Sequence, residues 1–161
     1  AYLVAAIEGA EPTATVWTWT GPQDARWVFR RMAQETAVHR VDAEQAAGRD
    51  GTIDPELASD GIDEFLTVML RHQVDAPASL GGSVHLHCTD ALGEWTITPA
   101  ADGTLAVTRE HTKADTAMRG PASSLLLALW RRVDVADPDA GITVFGDEDL
   151  AGRFLALTSN D

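Results

Sequence analysis

The feature that most constrains this sequence is a change of period. Ahead of the segment Pro77 to Gly82 (PASLGG), apolar residues recur at three- and four-residue steps; beyond it they alternate. A chain that is helical first and stranded later, then closes with helices, belongs to the α+β class: a largely antiparallel sheet with helices packed on one face. In SVHLHCTD, Val84, Leu86 and Cys88 alternate with His85, His87 and Thr89, the pattern of a half-buried strand. Leu92-Gly93 makes a turn into the strand EWTIT, and Asp102-Gly103 signals a hairpin before TLAVTRE. Thr116 to Arg119 supplies a fourth strand and ITVFG a fifth. Between these two lies a helix, PASSLLLALWRRV, with proline at its start and arginines in its last turn, and DEDLAGRFLALT closes the chain as a helix with an acidic first turn.

The helical half is dominated by Asp24 to Ala47 (DARWVFRRMAQETAVHRVDAEQAA), with Pro22 suited to the first helical position and Asp24 to the first turn. Val28, Met32, Glu35 and His39 fall at steps of four, three and four, so a carboxylate and an imidazole continue an apolar row. GRDG, residues 48–51, ends this helix; a second amphipathic one follows Asp60-Gly61 and runs to His72. Before the long helix, Tyr2 to Ile7 reads as the last turns of a helix, and EPTATVWTWTGPQ as an extended connection with Trp17 and Trp19 on one side. The chain opens without Met in mid-helix, which predicts further residues upstream.

Of the 161 residues, 25 are acidic and 12 basic, a net charge of −13 that repels nucleic acid and anionic membrane surfaces. Lys113 is the single lysine. One cysteine, Cys88, excludes an internal disulfide and suits a reducing cytoplasm; its place on the apolar face makes it a core residue rather than a nucleophile.

Three groups of residues can carry chemistry. Glu35 and His39 lie one helical turn apart, a spacing at which a divalent ion accepts carboxylate oxygen and imidazole nitrogen together, with Asp42 one turn further on to orient the imidazole. The same pair also reads as a solvated ion pair worth ~0.3 kcal/mol. His85 and His87 project from one side of a strand and form a second candidate pair, for which His111 is the third ligand within reach; the plainer reading is histidines on the polar face of a sheet or packed beneath another element. Arg119, at a strand end before a helix N-terminus, can contact an anionic cofactor group or be an ordinary surface arginine. The five tryptophans read as packing residues.

Several separated segments, RRMAQETAVHRVDAE, ASDGIDEFL, SVHLHCTDALGEWTIT, MRGPASSLLLALW and VFGDEDLAGRFLAL, resemble in the same order the mycothiol-dependent maleylpyruvate isomerase family. The resemblance runs from WTWTGP to the end of the chain. It implies a DinB-like metal-binding bundle, of which residues 1–48 are the C-terminal part, a connecting segment with a helix at 49–79, and a sterol-carrier-like α+β domain at 80–161. It implies a divalent metal, commonly zinc, held by the Glu and His of an E-x-x-x-H, here Glu35 and His39, with a further histidine from an earlier helix that this sequence does not contain. It implies mycothiol as thiol cosubstrate, a small-molecule substrate, and an actinobacterial cytoplasm. The activity implied is cis-trans isomerisation or a related thiol transfer. A sterol-carrier-like fold allows a second function, a non-catalytic small-molecule or partner-binding module, and the bundle remnant allows a homodimer.

Overall fold

The structure, a computed structural model, describes residues 2–20, 23–70 and 80–158. Its Cα framework falls into two units, Ala1–Gly51 and Thr52–Asp161.

In the first unit, α1 (Tyr2–Gly9) is followed by an extended connection and α2 (Ala25–Ala46). The connection folds back on the start of α2: the Val16 amide donates to the Gln23 carbonyl at 3.1 Å, and the Ala25 amide to the Ala14 carbonyl at 3.0 Å. Trp17 and Trp19 do share a side, but it is the solvent side, 81% and 55% exposed, while Thr18 and Thr20 turn inward. These two indoles are therefore not packing residues. Asp24 is the N-cap of α2 rather than a first-turn residue; its carboxylate accepts from the Trp27 amide at 2.9 Å, which satisfies an end donor and holds the carboxyl below its usual range. Pro22 lies outside the described residues.

The inward row of α2 is Trp27, Arg31, Gln34, Val38 and Val41, spaced four, three, four and three. The row expected from Val28 and Met32 through Glu35 and His39 lies beside it and is half-buried to exposed. Two polar residues on the inner row, Arg31 and Gln34, disguise it in the sequence.

The second unit opens with α3 (Pro55–Glu64), seven residues earlier than the Asp60-Gly61 punctuation suggests. Asp54 caps it, accepting from the Glu56 and Leu57 amides at 3.0 and 3.2 Å, and Pro55 takes the first helical position. Gly61 is buried within the helix rather than outside it. The helix runs on as a π turn, Phe65–Met69, and the described part stops at Leu70; His72, its expected end, lies outside the described residues.

The sheet has the order β3-β2-β1-β4-β5, with β1 Val84–Cys88, β2 Glu94–Pro99, β3 Leu105–Thr108, β4 Thr116–Gly120 and β5 Thr143–Gly146. The β3-β2, β2-β1 and β4-β5 pairs are antiparallel, and β1 and β4 run parallel at the centre. Ser83 and Asp115 pin the start of that parallel pair: the Ser83 amide and hydroxyl donate to the Asp115 carboxylate at 2.8 and 2.7 Å. Helices α4 (Ala122–Leu129) and α5 (Glu148–Leu157) pack on β1 and β4, and α3 packs on α4. Val84, Leu86, Cys88, Trp95, Ile97 and Met118 are buried on one face of the sheet, together with the Leu125 to Leu129 body of α4. Trp130 meets Phe65 edge to face at 4.9 Å. Arg131 and Arg132 lie past the end of α4 rather than in its last turn; Arg131, at φ 62°, donates through Nη1 to the Leu155 carbonyl of α5 at 2.7 Å. The fold class is α+β, as the periods require.

Candidate functional site

On α2, the expected pair is joined. His39 Nε2 lies 3.0 Å from Glu35 Oε2, and His39 Nδ1 lies 2.9 Å from Asp42 Oδ2. The ring itself is 63% exposed, so packing does not fix it; these two contacts do. The two contacts hold the ring on the same helix face as the Glu35 carboxylate, with Asp42 as the outer partner on the far nitrogen. That is the arrangement a metal-ligating histidine requires, and Glu35 and His39 fit the role as two ligands. Glu35 has a second commitment: its Oε1 makes a close ion pair with the buried Arg31.

On the sheet, the strand pairing builds a second cluster. Cross-strand register sets His85 beside Thr96 of β2 and Ala117 of β4, and His87 beside Glu94 and Arg119, all on the face opposite the Val84 and Leu86 core. After β3 the chain doubles back over this face. The Thr96 hydroxyl donates to the Glu110 carbonyl at 3.3 Å, and His111 comes down beside His85, ring centroids 5.3 Å apart. Glu94 is the hub: Oε1 lies 2.5 Å from His87 Nδ1, and Oε2 lies 3.0 Å from His111 Nδ1 and 4.0 Å from His85 Nε2. One donor atom from each of His85, His87, Glu94 and His111 falls within a 4.8 Å sphere of separation.

The electrostatics follow from this placement. Burial pushes His85 toward its neutral form, and His111 and His87 add to that push while Glu94 opposes it. Burial also works to raise the Glu94 carboxyl, but the hydrogen bonds from His111 and His87 outweigh it and hold the carboxyl below its usual value. Among the described residues, His85 Nε2 is buried with no hydrogen-bond partner.

The sequence reading named three members of this cluster and missed Glu94. The missing signal was the turn: with Cys88 and Gly93 closing it, the Cys88 amide donating to the Gly93 carbonyl at 2.9 Å, the next residues outward must pair, and these are His87 and Glu94. Arg119 is exposed on β4, aligned with His87. The helix N-terminus that follows it already has an acceptor, since the Ala122 amide donates to Asp90 Oδ1 at 2.8 Å. Cys88 is buried, and burial, with Asp90 adding to it, pushes its thiol up to about 12. A cleft of about 460 Å³ beside the cluster is lined by Glu56, Asp60, Asp63, Trp95 and Arg109 and is broadly open to solvent.

A helical unit bearing a Glu-x-x-x-His pair, joined in sequence to an α+β unit with a five-stranded sheet, defines a two-part protein class. The chain belongs to the mycothiol maleylpyruvate isomerase family. Residues 56–153 match the MDMPI C-terminal domain, and residues 1–44 match the mycothiol maleylpyruvate isomerase N-terminal domain.

Among solved structures, the chain is similar to the stereoselective inverting sec-alkylsulfatase Pisa1 from Pseudomonas sp., at 19% identity and a TM-score of 0.48 over 65% of this chain and 16% of that one. The chain thus spans a small part of that enzyme's length. It is similar to the UbiJ-SCP2 ubiquinone synthesis protein at 17% identity and TM-score 0.45, covering 64% of this chain and 89% of that one. With sterol carrier protein 2 like 2 from Aedes aegypti the identity is 18% and the TM-score 0.38, over 78% and 96% of the two chains. No curated protein matches the chain. Among the described residues, no helix is long and apolar enough to cross a membrane.

Proposed function

We propose that this protein serves a mycothiol-dependent reaction of the maleylpyruvate isomerase or thiol-transferase type, in the cytoplasm, with Glu35 and His39 as ligands of a divalent metal, zinc by its chemistry. The observation that carries the reading is the clamp on His39: Asp42 holds Nδ1 and leaves Nε2 directed at the Glu35 carboxylate, 3.0 Å away. When bound, a zinc ion favours the thiolate form of a coordinated thiol, which is the nucleophile in thiol addition. The chain's own residues supply position and charge. Asp42 fixes the ring, Glu35 contributes an anionic oxygen, and Arg31 restrains the Glu35 carboxylate from the buried side of the helix. An external thiol fits the inventory, since Cys88 is buried and its thiol is held protonated at neutral pH.

The test is turnover of maleylpyruvate by the full chain with and without mycothiol, alongside Glu35→Ala and His39→Ala. Thiol-dependent isomerisation that both substitutions abolish is the expected outcome. Activity that persists in both variants, or that needs no thiol, refutes the assignment; ligand binding untouched by Glu35→Ala, with no turnover, identifies a binding module instead.

A further inference from the structure

We propose that His85, His87, Glu94 and His111 form a second metal site, in the sheet unit and separate from the pair on α2, for a divalent transition ion of borderline softness such as zinc. The proposal rests on convergence and on one unsatisfied atom. Three imidazoles meet a single carboxylate. Two of them, His87 and His111, take its two oxygens, and the third, His85, reaches no closer than 4.0 Å and makes no hydrogen bond through Nε2 among the described residues. His85 is only 7% exposed. A buried ring nitrogen without a partner is destabilising, and coordination removes that cost.

The dimensions agree with an ion. Tetrahedral zinc with bonds of about 2.0–2.1 Å sets its donors about 3.3 Å apart. Here the donors lie 2.5, 3.0 and 4.0 Å from the Glu94 oxygens, and all four fall within 4.8 Å of one another. Adjustments of about an ångström convert one arrangement into the other. They are available where they are needed, because the His111 side chain is 79% exposed on a connection and the His87 side chain 30% exposed, whereas His85 is fixed by burial. The donor set of three imidazoles and one carboxylate, with Cys88 on the opposite face of β1, selects zinc, cobalt, nickel or iron over calcium and magnesium, which take oxygen ligands. The site needs neither Glu35 nor His39.

The experiment uses the full chain with Glu35→Ala and His39→Ala, which silences the helix pair. Zinc is titrated calorimetrically, and cobalt(II) is followed by its visible absorption. One ion per chain is expected, with the intense spectrum of a four-coordinate nitrogen and oxygen site. His111→Ala, an exposed position that leaves the fold intact, and Glu94→Gln should each weaken zinc at least about tenfold, as the loss of even an outer partner does. A hydrogen-bonded histidine and carboxylate network only is the contrary outcome. It appears either as no stoichiometric ion in the silenced chain or as binding that His111→Ala and His87→Ala leave unchanged, and either result overturns the proposal.

Discussion

Asp42→Asn probes the α2 site at the outer partner of His39 and leaves the ion pair of Glu35 with Arg31 in place. The substitution keeps the shape of the side chain and removes its charge. In the protein the contacts at both nitrogens hold the His39 ring in one setting. Without the carboxylate the exposed ring recovers about three staggered χ1 wells, each with a roughly two-fold χ2, about six settings in place of one. Restoring the single ligating state then costs about 1 kcal/mol, close to a factor of ten in affinity when the lost polarisation of the ring is added. Zinc competition against a chromogenic chelator, in a His87→Ala/His111→Ala background that removes the sheet cluster, reads this directly. A dissociation constant raised about tenfold to a hundredfold is expected, with the helical circular dichroism unchanged. An affinity within about twofold of the parent refutes the positioning role of Asp42, since it lies outside the range for losing such a partner.

Three further outcomes follow from other contacts. Ser123→Ala removes the acceptor of the buried Ile53 amide, a 2.9 Å bond joining the entry of α3 to α4, and should cost about 1–3 kcal/mol, seen as a melting temperature lower by about 2–4 °C per kcal/mol; unchanged melting refutes it. In chelator, stability should fall with acid in two stages. The buried His85 resists the proton that the unfolded chain takes up below 6.5, and Glu94, held low by His87 and His111, loses its stabilising charge only as pH drops further, below the ordinary 4.5. Urea unfolding at a series of pH values checks this, and His85→Gln should flatten the upper stage. Cys88 should react with a thiol reagent far more slowly in the native chain than in urea, because the thiol is both covered and pushed up to about 12; equal rates contradict that.

What the sequence made legible was local. Alternation placed β1, turn and hairpin signals its neighbours, and Pro121 and Asp147 stand at helix starts where their chemistry belongs, whereas the start of α3 at Asp54 went unread. Gly61 misled because a glycine inside a helix is read as a breaker from propensity alone, whereas its place in the core is decided by the helix packed beside it. The inner row of α2 was missed by one residue because burying Arg31 and Gln34 depends on partners that no periodicity count contains. Glu35, His39 and Asp42 meet along one helix, so their spacing sufficed to bring them together. His111 reaches His85 only because the chain crosses back over the sheet on its way from β3 to β4, a long-range arrangement carried by the parallel β1-β4 pair.

The two strands that bound the sheet, β3 and β5, are four residues each, and β5 ends at Gly146, whose φ of 85° turns the chain away. A further strand can be recruited only along a row of unpaired amides and carbonyls, and antiparallel pairing directs only every second residue of an edge outward. Each rim therefore offers a template about two residues long. Growth of the sheet into fibrils by edge addition has little to start from, and the acidic excess of the chain adds repulsion between copies.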